Sequence, residues 1–304
     1  MTKAREYSIL LLIQAIPGNR KERENMKSVF LFPNEKKDTE LLYTKRAMEY
    51  LKARGCRVYS IAELPGAESV NGEPPADLQF AVILGGDGTI LRGAHYLLGT
   101  NTPILGVNLG TLGYMAEVEP NGIEAALRKV LEGDYRIEKR LVLEGLLTCL
   151  DTGECHKVNA MNEFVLHRNA MAGVLDVRAY INDTYIETYR TDGIIAATPN
   201  GSTAYNFSAG GPVLSPEAEN LILTPLCSHS ILDRSVVVTA KDRLSFEISS
   251  REDQEAPLFS ADGIERIWLR GNYRLEVYKS EQHFPLIRVS DKNFFEILRT
   301  KMKR

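Results

Sequence analysis

The chain has 304 residues, enough for two domains of ordinary size, and its 44% hydrophobic and 25% charged content is that of a soluble globular protein. With 37 Lys and Arg against 40 Asp and Glu the formal net charge is -3, which argues against a nucleic-acid binder; an anionic ligand has to be held by local geometry. The four cysteines, Cys56, Cys149, Cys155 and Cys227, form no Cys-x-x-Cys pair and no zinc-type cluster with His, so free thiols in a reducing cytoplasm are expected, and the apolar run at 9–13 is too short to span a membrane.

Lys3 and Arg5 ahead of that run imitate the start of a signal peptide, but no small-residue cleavage site follows and secretion is not expected. Residues 1–25 stand apart from the rest. They end in the polar run 19–25, where Lys21-Glu22-Arg23-Glu24 can be encoded by purines alone, as a ribosome-binding site would be. Met26 is therefore the expected natural start, with 1–25 a non-native or disordered extension.

From Met26 the pattern alternates. Residues 27–34 read as a β-strand running into a loop. Residues 39–54 read as a helix, with Leu41, Leu42, Ala47, Met48 and Leu51 near one face, Thr39 as its cap and Gly55 as its stop. A short strand at 57–60 and a Gly/Pro-rich loop at 65–75 follow, then a strand at 79–84, a helix at 89–98 and a strand at 104–107. This alternation predicts a parallel sheet with helices on its faces and ligands at the carboxyl ends of the strands.

Past about Glu138 the texture changes. Strand-like runs at 141–150, 174–181, 185–189, 193–197, 236–240, 244–249 and 275–278 are separated by turn residues, and Asn182-Asp183 reads as a hairpin turn. A second, mainly antiparallel β domain is expected. Residues 292–303, with Phe294, Phe295, Ile297, Leu298 and a basic tail, predict a short amphipathic helix that packs back on the first domain. The expected division is 26–137 joined by 288–304, and 138–287.

The most informative stretch is Ala81-Val82-Ile83-Leu84-Gly85-Gly86-Asp87-Gly88-Thr89-Ile90-Leu91. An apolar strand breaks into Gly-Gly-Asp-Gly and resumes at helical spacing. Glycines and a helix N-terminus bring backbone N–H groups and partial positive charge to an anion. A carboxylate in such a nest would repel phosphate if binding were its only task. It fits a proton acceptor or a magnesium partner beside phosphates. The plainer alternative is an Asp that only caps the helix.

Three further segments carry polar chemistry. Asn108-Leu109-Gly110-Thr111-Leu112-Gly113-Tyr114 places a second glycine loop after a strand. Asn162-Glu163 pairs an amide with a carboxylate, as an adenine or a ribose diol requires. Arg190-Thr191-Asp192-Gly193 leads through an apolar strand to Thr198-Pro199-Asn200-Gly201-Ser202-Thr203-Ala204-Tyr205-Asn206-Phe207-Ser208-Ala209-Gly210-Gly211-Pro212, a backbone rich in hydroxyls and glycines that suits a dinucleotide.

On Gly85 to Thr89, Asn108 to Tyr114, Asn162-Glu163, Asp192-Gly193, Thr198 to Tyr205 and Ala261-Asp262-Gly263, the chain resembles the ATP-dependent (poly(P)/ATP) NAD kinases from about Met26 to its end. Gly-Gly-Asp-Gly-Thr alone also resembles the nucleotide loop of diacylglycerol and sphingosine kinases; the Thr198–Tyr205 segment is the more specific. The resemblance implies an α/β domain plus a mainly antiparallel β domain, and phosphorylation of the adenosine ribose 2′-hydroxyl of NAD. It implies Asp87 as proton acceptor, with Gly88 and Arg92 contacting nucleotide. It also implies Asn162 and Glu163 gripping adenosine, Arg190 and Asp192 flanking the dinucleotide, and Thr203, Ala204, Tyr205 and Ser208 lining the site. Magnesium or another divalent metal on the phosphates is implied as cofactor. So is a homodimer or homotetramer whose subunits contribute to each other's sites; whether polyphosphate replaces ATP stays open. No nucleic-acid or membrane partner is expected. Tyr114 stands where Phe is usual, Ser228 where Pro is common and Ile264 where Gln often follows Asp-Gly. A diacylglycerol-type lipid kinase is the alternative, and a non-enzymatic NAD sensor a third reading; Asp87 argues against the sensor and the polar 198–208 loop against the lipid kinase.

Overall fold

A computed structural model describes residues 27–111, 113–169, 174–249, 255–291 and 293–303; the expected extension 1–25 and start at Met26 lie outside them, as does Leu112. The strands are β1 (Ser28–Pro33), β2 (Arg57–Ser60), β3 (Glu68–Ser69), β4 (Leu78–Gly85), β5 (Ile104–Asn108), β6 (Arg136–Cys149), β7 (Cys155–Ala160), β8 (Glu163–His167), β9 (Leu175–Ile181), β10 (Thr184–Thr191), β11 (Gly193–Ala197), β12 (Asn220–Leu226), β13 (Val236–Thr239), β14 (Leu244–Ser249), β15 (Leu258–Ala261), β16 (Glu265–Trp268) and β17 (Asn272–Arg288). The α-helices are α1 (Leu42–Lys52), α2 (Asp87–Tyr96), α3 (Ile123–Glu132), α4 (Tyr205–Ser208) and α5 (Phe294–Met302).

Two sheets result. The strands β3, β2, β1, β4 and β5 lie parallel in the order 3-2-1-4-5, as the alternating pattern predicts. β5 then pairs with the end of β17 through Leu286 and Ile104, and β17 continues antiparallel against β14 and β6. The parallel and antiparallel parts are thus one sheet of 11 strands. A separate six-stranded antiparallel sheet, β13-β12-β11-β8-β15-β16, packs on its antiparallel half.

Alternation along β1 shows how the first core is divided. Val29 and Leu31 face α1 and α3 together with Ala47, Leu51, Ile123 and Leu127, while Phe30 faces α2 with Ile83, Ile90 and Ala94. β4 and β5 are buried along most of their length, which explains their continuous apolar runs. A Cβ on Gly93 would fall 2.3 Å from Cδ1 of Ile83, so α2 lies directly on β4.

Two local expectations differ. The 39–54 segment opens with a turn of 3-10 helix whose Glu40 and Leu41 have φ of 55° and 54°, and α1 proper begins at Leu42. Its cap is Asp38, not Thr39: the Asp38 carboxylate accepts from the N–H groups of Tyr43 and Thr44 and from the Thr44 hydroxyl. The strand expected at 275–278 is only a piece of the 17-residue β17. Asn182 and Asp183 do form the hairpin turn, both with positive φ.

Candidate active site

β4 ends at Gly85, Gly86 is the helix cap residue, and Asp87 is the first residue of α2. A Cβ on Gly85 would overlap the Thr89 side chain at 2.4 Å, so this glycine lets the helix start close against the strand. No side chain caps α2, which removes the reading of Asp87 as a mere helix cap. Its carboxylate instead turns toward the second glycine loop. The Tyr114 N–H donates to Oδ2 at 2.8 Å and the Met115 N–H to Oδ1 at 3.0 Å. Each oxygen keeps lone-pair capacity, and the side chain is 29% exposed.

Asp87 opens into a cleft of about 330 Å³ lined by Asn34, Lys37, Gly86, Gly88, Thr89, Arg92, Thr111, Gly113 and Lys301. Every described lining residue is polar or glycine. The Lys37 ammonium lies about 3 Å from the places where Cβ atoms on Gly86 and Gly110 would sit, so it rests against two bare stretches of backbone. Asn34 Nδ2 donates to the Thr89 hydroxyl at 2.8 Å, tying the exit of β1 to α2. Lys37 and Lys301 are not singled out by the sequence, because nothing local marks a surface lysine as part of a cleft built from four separate segments.

Asn162 and Glu163 stand at the start of β8. The Asp262 carboxylate, with no exposure, accepts from three successive backbone N–H groups: Met161 at 2.7 Å, Asn162 at 2.8 Å and Glu163 at 2.9 Å. His95 Nε2, from the last turn of α2, lies 2.6 Å from the same carboxylate. The helix that begins with Asp87 is therefore bolted to the Asn162-Glu163 turn. Burial, with Asp262 nearby, pushes the Glu163 carboxyl up to about 8, and the Tyr205 backbone N–H acts the other way. Glu163 Oε2 is buried and has no hydrogen-bond partner among the described residues. An orphaned buried oxygen of this kind fits a ligand hydroxyl.

The 198–212 segment forms a 3-10 turn at Gly201–Thr203 and then α4. It is pressed onto Asn162, since a Cβ on Gly201 would fall 2.1 Å from the Asn162 carbonyl oxygen. Thr203 and Ala204 are half-buried, Tyr205 and Ser208 are exposed, and the Tyr205 ring is free to stack on a base.

A buried ionic network ties the two halves together. Asn200 donates to Asn162 Oδ1 at 2.6 Å and accepts from Arg140 at 2.6 Å. Arg140 pairs with Glu138, and Arg288 bridges Glu138 at 3.0 Å and Glu117 at 3.2 Å while reaching the Met115 carbonyl at 3.2 Å. Burial pushes Arg140 down to about 10, opposed by Glu138. Burial would raise Glu138, yet the Arg288 hydrogen bond and both guanidinium charges hold it below the usual carboxylate range. One chain of contacts thus runs from the amides on Asp87 to the side chain of Asn162.

Arg190 and Asp192 lie elsewhere. They precede β11, whose far end leads to Thr198, so five residues of strand, roughly 16 Å, separate them from that loop. Asp192 pairs with Arg168 at 2.8 Å, and Arg190 opens on a different cleft with Asp176 and Arg178. Within one chain they are not brought to Asp87.

Among the described residues no group of three His, Cys, Asp or Glu side chains could hold a metal ion, and no helix is long and apolar enough to cross a membrane. Among the described residues Asp87 is the only carboxylate lining the cleft. The donor set does not build a protein-held cage, and fits a divalent ion that arrives on phosphate oxygens.

The family model for the ATP-NAD kinase N-terminal domain matches residues 29–135, and that for the ATP-NAD kinase C-terminal domain matches 161–289. An NAD kinase of Lachnoclostridium phytofermentans is 39% identical over 91% of this chain and 99% of its own length. One from Caldanaerobacter subterraneus subsp. tengcongensis is 38% identical over the same shares. Among solved structures, an Archaeoglobus fulgidus NAD kinase in complex with ATP superposes with a TM-score of 0.69 at 27% identity, covering 91% of this chain and 99% of that one. Yeast NADH kinase complexed with NADH has the same fold, with a TM-score of 0.80 at 22% identity over 91% and 88% of the two chains.

Proposed function

This chain belongs to the ATP-NAD kinase family and is a kinase that phosphorylates NAD, and from that premise we propose that Asp87 is the general base of the transfer. The adenosine ribose 2′-hydroxyl gives its proton to an Asp87 oxygen as its own oxygen attacks the γ-phosphorus of ATP. The new bond is ribose O–P, the bond that breaks joins the γ-phosphorus to the bridging oxygen, and ADP leaves with that electron pair. Such transfer is mainly positioning plus charge neutralisation. The observation that carries the assignment is the carboxylate gripped by two backbone amides at the mouth of a cleft holding Lys37, Arg92 and Lys301.

Asn162 and Glu163 would hold the adenosine side, with the orphaned Glu163 Oε2 toward a ribose hydroxyl, and Thr203, Ala204, Tyr205 and Ser208 would wall the dinucleotide. Gly88 and Arg92 would face donor phosphates. Magnesium carried on those phosphates supplies charge neutralisation when bound. A cleft whose described lining is polar side chains and glycines suits a donor held by its phosphates, and inorganic polyphosphate is a second donor that fits. Arg190 and Asp192, remote within one chain, fit a site completed by a second copy in a homodimer or homotetramer. A cytoplasmic place, where NAD and ATP are available, accords with free thiols.

The test is to incubate purified protein with NAD, ATP and Mg²⁺ and couple the product to an NADP-specific dehydrogenase. No NADP would overturn the assignment. The lipid-kinase alternative finds no support in a cleft lined by polar residues and glycines.

A further inference from the structure

The C-terminal helix α5 contributes to the donor cleft in a way its sequence does not announce. None of its residues is buried, so it rests on the body of the protein by few contacts. Phe294 packs on the Tyr114 ring at 5.7 Å between centroids, which anchors its first turn. At its other end Lys301 extends over the same ring, with Nζ 4.0 Å from the centroid, and stops 4.0 Å from Oδ2 of Asp87.

The ion pair of the ammonium is weak. The carboxylate distance is at the outer edge of an ion pair, and the side chain remains about one-third exposed. Lys37 and Arg92 line the same cleft and make no ion pair among the described residues. Three cations thus converge on one carboxylate, from the loop after β1, from α2 and from the last helix. Two of the three, Lys37 and Arg92, pair with no carboxylate among the described residues. Such a cluster suits a chain of phosphates.

We propose that Lys301 is a phosphate-binding side chain of the kinase, moving from Asp87 to the terminal phosphates of the donor when the donor enters. In the resting enzyme its ammonium partly neutralises Asp87. With donor bound it releases the base and stabilises charge on the transferring group, the role preorganised cations play in phosphoryl transfer. The Tyr114 ring guides this movement, because a face that attracts the ammonium in one position still touches the lysine stem in the other. The proposal rests on the kinase reading above, and its test separates the two.

Lys301→Met keeps the stem and removes the charge, Lys301→Arg restores the charge, and Lys303→Met, exposed on the same helix end, serves as control. Each is compared with the parent for ATP binding by calorimetry without NAD, then for kcat and for KM of each substrate. Lys301→Met should weaken ATP binding and lower kcat/KM for ATP by roughly tenfold or more, with KM for NAD changed less than about twofold. Lys301→Arg should recover most of the loss, and Lys303→Met should match the parent. ATP affinity and kcat/KM of Lys301→Met within twofold of the parent would overturn the proposal, as would failure of Lys301→Arg to recover either quantity. ATP binding that depends on Lys301 in a parent protein forming no NADP would overturn the kinase reading instead.

Discussion

Gly113 has no side chain because Asp87 occupies the place: a Cβ there would lie 2.1 Å from the Asp87 Oδ1 atom. The contact explains how the second glycine loop can offer two successive amides to one carboxylate. Gly113→Ala must push either the loop or the carboxylate away. We expect kcat to fall ~100-fold while the protein stays folded, with a stability loss of about 1–3 kcal/mol from overpacking. Turnover measured beside a thermal melt checks this, and a kcat within twofold of the parent would contradict it.

Asp87→Asn should reduce turnover by ~10²–10⁴ and leave NAD binding largely intact. The substituted amide would also turn an NH₂ toward one of the two N–H donors from Tyr114 and Met115, so the side chain loses its orientation as well as its basicity. Coupled NADP formation and an NAD titration on the same preparation separate the two effects. A mutant that turns over near the normal rate removes Asp87 from the role of base.

Glu163 makes stability depend on pH. Between its ordinary value of 4.5 and about 8, the folded chain keeps a proton on Glu163 that the unfolded chain has released. This contribution is therefore complete below 4.5, declines as pH rises through the window, and is gone above about 8. Glu163→Gln, which cannot ionise, should flatten the fall in melting temperature between pH 5 and 8 relative to the parent. Parallel curves for the two proteins would refute a raised Glu163 carboxyl.

Asp262 holds three amides and one imidazole while fully buried. Asp262→Ala strands all four, and we expect about 3 kcal/mol of destabilisation. Because the freed turn is the one carrying Asn162 and Glu163, KM for NAD should rise several-fold and more than KM for ATP. Urea unfolding and steady-state kinetics read the two consequences separately; an unchanged KM for NAD would detach this carboxylate from acceptor binding.

Much of this was legible in residue order. β4, the glycine loop and α2 are contiguous, so apolar run, turn and helix can be read in one window. The hairpin at Asn182-Asp183 declares itself through residues that tolerate positive φ. The helix α3 was readable too: Ile123, Ala126, Leu127 and Val130 share a face and Gly133, with φ of 82°, ends it, yet it is missing from the sequence expectations. Other features are not local. β17 holds Pro285 and a register shift between Lys279 and His283, so no single period runs along it. The partnership of Asp262 with His95 joins residues 167 positions apart, and Lys301 meets Asp87 across most of the chain. Only the folded molecule brings such pairs together.

The strand β17 also governs the order in which the molecule can be assembled. It is made after the whole of the parallel half, yet Leu286 pairs with Ile104 at the edge of that half. Until then the start of that edge at Ile104 lacks its partner, while Gly106 and Asn108 are already bonded by Glu117 and Val118. Contacts so distant along the chain slow productive folding. Expressed without β17, the segment 27–135 should therefore aggregate rather than behave as an independent unit.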